Sequence, residues 1–317
     1  MKKKIIFLPF IILIVYILVC PVDAVNAAAS GLMLWYQKIL PTLLPFSILS
    51  CILIDSNYLT HITRCLYPLT RWILPTSQNG SFAFLSGFLF GFPMGSKNSA
   101  LLYQSGKISQ KEAEYLAVVC NNISPVFVGS FVIMQQLHAP KLLLPAYLFL
   151  YFPPILLGNV LFRLPSFKAE QKKWRNSQKM PASGFQMNFK IIDTGIMNGF
   201  ETLTKLGGYI MLFSMFASIC NGIRLPSSVY SILVGLIELT NGIASLNPDT
   251  MHPAFCYVTA LSVTAFGGLS GLAQTFSMTK ECSFSQKRYL CYRVLLTLMT
   301  GLSACAYCLL MPTSYLR

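Results

Sequence analysis

The feature that most constrains this chain is a succession of apolar runs, each long enough to cross a hydrocarbon core of about 30 Å. The first extends from Ile5 to Val22, and others lie near 42–59, 116–137, 141–162, 203–222, 254–276 and 291–311. Only 11% of residues are charged and 54% are hydrophobic, whereas soluble domains carry about 25% charge. The chain therefore reads as an all-α polytopic membrane protein. Soluble enzyme, disordered, collagen-like and β-barrel classes fall away.

Lys2, Lys3 and Lys4 precede the first run, and Ala24, Ala27, Ala28 and Ala29 follow it, as in a secretory signal peptide. The run exceeds the apolar region of about 7–15 residues usual for such signals. Residues 1–25 are accordingly read as a retained transmembrane helix with a cytoplasmic N-terminus.

Lys and Arg number 24 against 10 Asp and Glu, a formal net charge of +14. In a membrane protein this excess reports topology, because short cytoplasmic loops collect Lys and Arg. No exposed aromatic platforms interleave with the basic residues, so nucleic acid is not the expected partner. Two further apolar segments, 82–102 and 228–250, are interrupted by Gly, Pro and Asn. If both are re-entrant hairpins, every Lys and Arg except Lys38, Lys141, Arg224 and Arg317 falls on the cytoplasmic side, Lys97 and Arg293 included. If both crossed fully, the basic loops would alternate between sides.

About seven spanning helices plus two re-entrant hairpins result, and the order repeats. Residues 26–162 and 191–317 each contain a span, a hairpin and two spans, separated by a basic cytoplasmic linker at 163–190. Three crossings per unit make the second unit an inverted copy of the first. Residues 30–51 align without gaps on 194–215, sharing Gly31/Gly195, Met33/Met197 and Ser50/Ser214. The amphipathic stretches 27–40 and 191–204 are read as in-plane helices bracing each unit.

Within the first hairpin, Gly91, Pro93 and Gly95 cannot continue an α-helix without loss. Unpaired backbone at membrane depth is tolerated where it is buried in protein or lines a cavity, so such breaks point to a site. A second arm starting near Ser96, flanked by Lys97 and Asn98, would offer free N–H donors and suit an anion. Three more clusters share the pattern: Asn121, Asn122, Ser124 and Pro125; Glu238, Thr240, Asn241 and Gly242; and Gly267, Gly268, Ser270, Gly271 and Gln274. Singly, such residues are common where membrane helices pack; their matching places in the two units suggest solute binding. Lys97 and Glu238 are intramembrane ionisable groups, functional by default. A structural role is the alternative, with Lys97 snorkelling and Glu238 paired to Lys97 or Lys205.

Catalytic, metal and cofactor sites are not expected. His61, His138 and His252 stand outside any H-E-x-x-H pattern, Cys305 and Cys308 lack a second pair, and no phosphate-binding G-x-x-x-x-G-K-[ST] loop occurs.

The stretches GFLFGFPMGSKNSALLYQSGKIS, CNNISPVFVGSF, GLIELTNGI and AFGGLSGLAQT together resemble the nucleoside-recognition Gate-domain membrane proteins, in their sporulation branch, over residues 26–311. Phe92 stands where that family commonly has Tyr, and Ser96 where Ala is common. The resemblance implies a fold similar to concentrative nucleoside transporters, with paired hairpins in inverted repeats. It also implies a role in endospore formation, in the forespore envelope membrane, moving dipicolinic acid toward the forespore. A small aromatic dianion suits a hairpin tip bearing Lys97. A transporter of nucleosides or other small metabolites, or a non-transporting scaffold docking through Lys172, Lys173 and Arg175, remains open. The expected partners are thus a small solute, with an anion favoured, and the lipid bilayer; relatives of the fold can also associate as homo-oligomers.

Overall fold

The computed structural model describes residues 2–56, 58–177 and 188–311, and these are helical with no strands. The side chains of Lys2–Lys4, the second half of the linker and Arg317 lie outside the described residues. Five helices are long and apolar enough to cross a membrane: Pro21–Asp55, Pro140–Leu161, Phe189–Gly222, Pro253–Met278 and Gln286–Leu310. The other two expected crossings are the N-terminal helix α1 (Lys2–Val19) and a discontinuous segment described below.

The span expected at 42–59 is the end of a much longer helix. Helices α2 (Pro21–Leu34) and α3 (Leu40–Asp55) are continuous through a π-helical stretch at Trp35–Ile39. Pro41 follows that stretch and has no N–H to donate to the preceding turn, which favours such a local register change. The stretch 27–40 is therefore not a separate in-plane helix. Nor is 191–204, which forms the first half of α11 (Phe189–Ile219), 31 residues and about 46 Å long at 1.5 Å per residue. An amphipathic helix that the hydropathy pattern leaves unmarked, α4 (Leu59–Ile73), follows α3 and buries Leu59, Thr63 and Thr70.

The α2–α3 helix and α11 pack antiparallel through glycines. A Cβ on Gly31 would lie 2.8 Å from Ser214 Oγ, and one on Gly195 2.6 Å from Ile52 Cγ1. Between these, Gly207 meets the Trp35 ring, whose Nε1 donates to the Leu203 carbonyl at 2.8 Å. Small residues let helix backbones approach closely, which is how helices associate when apolar burial no longer discriminates between lipid and protein.

After α4 comes a helical hairpin, α5 (Gly80–Phe90) and α6 (Met94–Gln104). The span expected at 116–137 is broken into α7 (Gln110–Val119) and α8 (Pro125–Gln136), because Cys120–Ser124 does not continue the helix. Helix α9 (Leu143–Leu161) and the basic linker helix α10 (Pro165–Ser177) complete the first half. The second half repeats the order: α11, a hairpin of α12 (Ser227–Ile237) and α13 (Leu239–Ala244), a segment broken into α14 (Pro253–Phe266) and α15 (Gly268–Met278), and α16 (Gln286–Leu310). The single span expected at 254–276 is thus two helices, divided at left-handed Gly267 (φ +83°).

Candidate functional site

The first hairpin turns at Gly91–Pro93, where Gly91 has φ +75° and Phe92–Pro93 is cis. Only glycine enters that region of φ without penalty. Asn98 Nδ2 donates to Ser86 Oγ at 2.8 Å, tying the arms together. A Cβ on Gly87 would lie 2.8 Å from Gly95 Cα, and one on Gly95 2.6 Å from the Cys120 carbonyl carbon. Backbone therefore packs on backbone, and the hairpin rests directly on the break between α7 and α8.

The anion site expected at a second arm beginning near Ser96 is modified by the structure. Helix α6 begins at Met94, whose N–H goes to the Gly91 carbonyl (2.8 Å), and Ser96 N–H donates to Asn121 Oδ1 (3.4 Å). The Asn121 amide thus takes the place foreseen for a ligand. Ser96, Lys97 and Asn98 are buried. Lys97 is no snorkelling or loop residue: it is 5% exposed and its Nζ donates to Ser47 Oγ of α3 at 2.5 Å. No carboxylate among the described residues forms an ion pair with it.

In the first break, neighbouring side chains satisfy the backbone that the helices leave unpaired. Asn122 Nδ2 donates to the Val119 carbonyl (2.7 Å), Tyr151 OH to that of Ile123 (2.7 Å) and Tyr147 OH to that of Pro125 (2.9 Å). Ser124 Oγ accepts from Phe127 N–H, capping α8. Asn121 Nδ2 reaches the second half, donating to Thr275 Oγ1 and Tyr289 OH, both at 2.9 Å. The Phe92 ring at the hairpin tip packs on Gly271, completing the contact between halves.

Arg293, counted above as a loop charge, is 3% exposed inside α16. Its Nε donates to Tyr289 OH (3.0 Å) and its Nη1 to Asn122 Oδ1 (3.1 Å) and the Ala265 carbonyl (3.3 Å). It therefore joins the first break to the end of α14.

The second hairpin turns on one residue, Glu238, in extended conformation. Its carboxylate accepts from Asn241 N–H at 2.8 Å and so caps α13. The pairing of Glu238 with Lys97 or Lys205 is not made, because the carboxylate is taken by this backbone donor, while Lys205 bonds Glu201. Gly235 and Gly242 bring the arms into contact, and Ser245 Oγ donates to Ser231 Oγ (2.8 Å). Gly268 (φ +69°) lies against the Gly235 and Ile237 carbonyls, so this hairpin too rests on a broken segment. Asn241 Nδ2 donates to Ser214 Oγ of α11 (3.4 Å) beside a cavity of about 430 Å³ whose lining includes Asp23, Asn26, Asn221, Tyr230, Asn241 and Ser245.

The residues singled out from the sequence therefore separate into two neighbourhoods. Gly91, Pro93, Gly95, Ser96, Asn121, Asn122 and Ser124 gather around the first break. Glu238, Asn241, Gly267 and Gly268 gather around the second hairpin, with Thr240 half-buried beside them. Ser270 accepts from Gln274 Nε2 (3.0 Å) on α15, and Lys97 faces α3. Arg293, Tyr289, Thr275 and Ser47 were missed. For Arg293 a signal existed, an arginine four residues after Tyr289 at the edge of an apolar run. Among the described residues no group of His, Cys, Asp and Glu could hold a metal ion.

The segments that build this geometry have similar sequences in known proteins. Residues 36–139 match the family model described as Gate, nucleoside recognition. This stretch is similar to a Gate domain. That match runs from the middle of the α2–α3 helix through the first hairpin to the end of the first broken segment. Over 90% of its length the chain is also 25% identical to the sporulation integral membrane protein YlbJ of Bacillus subtilis (strain 168), covering 78% of that protein. No solved structure matches. With five helices long and apolar enough to cross a membrane, the chain is an integral membrane protein, and neither similarity names an enzyme.

Proposed function

We propose that this Gate-type protein transports a small organic anion across a membrane, its two halves forming an inverted repeat. The observation that carries the reading is that each half lays a helical hairpin, through glycine contacts, on a broken membrane segment. Broken helices paired in this way are how transporters place polar backbone and side chains at the midplane. Reciprocal contacts support the repeat. Gly31 meets Ser214, and the aligned Gly195 meets Ile52 and the Ile48 carbonyl, which flank Ser50, the residue aligned with Ser214. Re-entry of the hairpins from opposite faces and a cytoplasmic N-terminus follow from the same reading.

The anion is argued from charge. Lys97, buried in the first hairpin with no carboxylate in ion-pair contact, is a basic group that an anionic solute can pair with. Dipicolinate, in the forespore envelope, is the solute that the resemblance to sporulation proteins implies. A second reading, a neutral nucleoside-like solute, is favoured by the cavity beside Asn241, which offers amide and hydroxyl groups and has the acidic Asp23, not a cation, as its charged lining residue.

Uptake of labelled dipicolinate and labelled uridine into proteoliposomes decides between them. Lys97→Met keeps the length of the side chain and removes the charge. Dipicolinate uptake that falls about tenfold or more in that variant is expected, the loss of one charge-assisted hydrogen bond. Uptake of uridine alone supports the second reading. Well-folded protein that moves neither solute overturns both and favours a scaffold.

A further inference from the structure

The guanidinium of Arg293 is a second buried charge with no anionic partner among the described residues. It stands seven residues into α16, buried, where an arginine remains protonated whatever its surroundings. Its three acceptors, Tyr289 OH, Asn122 Oδ1 and the Ala265 carbonyl, are all neutral. The Tyr289 ring supplies only its face, 5.4 Å from the guanidinium carbon. The ion pairs among the described residues are Lys111–Glu170, Lys205–Glu201 and Arg288–Glu114, so no carboxylate serves it. Nη2 is itself buried and meets no acceptor. Burying a cation without an anion is among the costliest arrangements in a fold, and a membrane protein that keeps one has a use for it.

The placement indicates the use. Asn122 belongs to the break between α7 and α8, and Ala265 lies two residues before left-handed Gly267, which divides α14 from α15. Arg293 is therefore held by both broken segments at once. Tyr289 OH, which accepts from Arg293 Nε, also accepts from Asn121, and Asn121 Oδ1 accepts from Ser96 N–H of the first hairpin. One connected polar chain thus runs from hairpin to guanidinium. These contacts fix Nε and Nη1 and leave both hydrogens of Nη2 unused. A carboxylate accepting from Nη2, and from Nη1 in place of the Ala265 carbonyl at 3.3 Å, would form the forked pair for which guanidinium geometry is suited.

We propose that Arg293 is a carboxylate-binding residue of the solute path, its Nη2 presented between the two broken segments. This rests on the transporter reading above. The small cavity lined by the residues of two of its acceptors, Asn122 and Ala265, holds about 10 Å³, room for one water and not for a solute. On this proposal a carboxylate would reach Nη2 only when the two breaks part.

Calorimetric titration of the purified full chain tests the assignment, using benzoate and dipicolinate as probes and benzamide as the uncharged control. Wild type, Arg293→Lys and Arg293→Gln are compared, each with its thermal unfolding midpoint measured without ligand. Carboxylate binding, absent for benzamide, is expected to weaken about 10- to 100-fold in Arg293→Gln, the range of a charge-assisted hydrogen bond. Arg293→Lys, which keeps the charge and loses the fork, should fall between. That variant keeps the test decisive if the glutamine protein does not fold. Equal affinity in wild type and Arg293→Lys, or no carboxylate binding by wild type, overturns the assignment. Binding that depends on Arg293 without any uptake by wild-type proteoliposomes overturns the transporter reading instead.

Discussion

Buried charge is handled in two ways in this molecule, and the difference separates structural residues from candidates for function. Glu112 is fully buried, and its carboxylate accepts from Thr76 Oγ1 (2.8 Å), Ser77 N–H (2.7 Å) and Gln171 Nε2 (2.9 Å). It thereby fastens the loop before the first hairpin and the linker helix α10 to α7, and every contact is internal to the fold. Arg293, by contrast, keeps a buried nitrogen without an acceptor, and Lys97 Nζ reaches the Ser47 hydroxyl. Glu112→Ala is expected to strand three buried donors and to cost about 1–3 kcal/mol, with Glu112→Gln, which retains an acceptor oxygen, costing less. Thermal unfolding in detergent reads this as a lowered midpoint for the alanine protein; an unchanged midpoint would show that water replaces the carboxylate. The sequence marks Lys97 as intramembrane, since it follows the Gly-Pro-Gly cluster directly. It does not mark Arg293 as buried, because a basic residue near the start of a span looks the same whether it faces the interface or the protein, and packing alone decides.

At the scale of elements, glycine sets where hairpins can dock. Gly87 and Gly95 face each other across the first hairpin and both abut Cys120, so any side chain there pushes the hairpin off the α7–α8 break. Gly95→Ala should therefore cost about 1–3 kcal/mol, the range for overpacking. Gly208, with nothing near its would-be Cβ, should accept alanine with no loss. Comparing the two unfolding midpoints checks this, and equal midpoints would mean that the hairpin is loosely held. The turns at Gly91–Pro93 and Glu238 were legible as interruptions of apolar segments. The division of 116–137 was not, because hydropathy averaged over a window carries the apolar flanks of Asn121–Ser124 straight across them. For the same reason 27–40 and 191–204 were separated from helices that run through them: polar residues on one face of a long helix lower its mean hydropathy without ending it.

At the scale of the whole molecule, the order of elements in the two halves is the same, while reciprocal contacts along α2–α3 and α11 relate them antiparallel. If the halves are inverted copies, the bases of the two hairpins lie on opposite faces of the membrane. Ser105, at the base of the first, and Arg224, at the base of the second, are both exposed. Single cysteines placed there in a background with the exposed Cys65, Cys291 and Cys305 and the half-buried Cys20 and Cys308 replaced by serine report sidedness directly. Cys282 can stay, because burial pushes its thiol up to about 11 and leaves little thiolate at neutral pH. A membrane-impermeant maleimide added to intact cells is expected to modify Arg224→Cys and spare Ser105→Cys until the cells are permeabilised. Modification of both from outside, or of neither, would place the hairpin bases on one face. The two broken segments would then no longer be symmetry mates, and alternating access between equivalent halves would lose its geometric basis, whatever solute Lys97 and Arg293 attract.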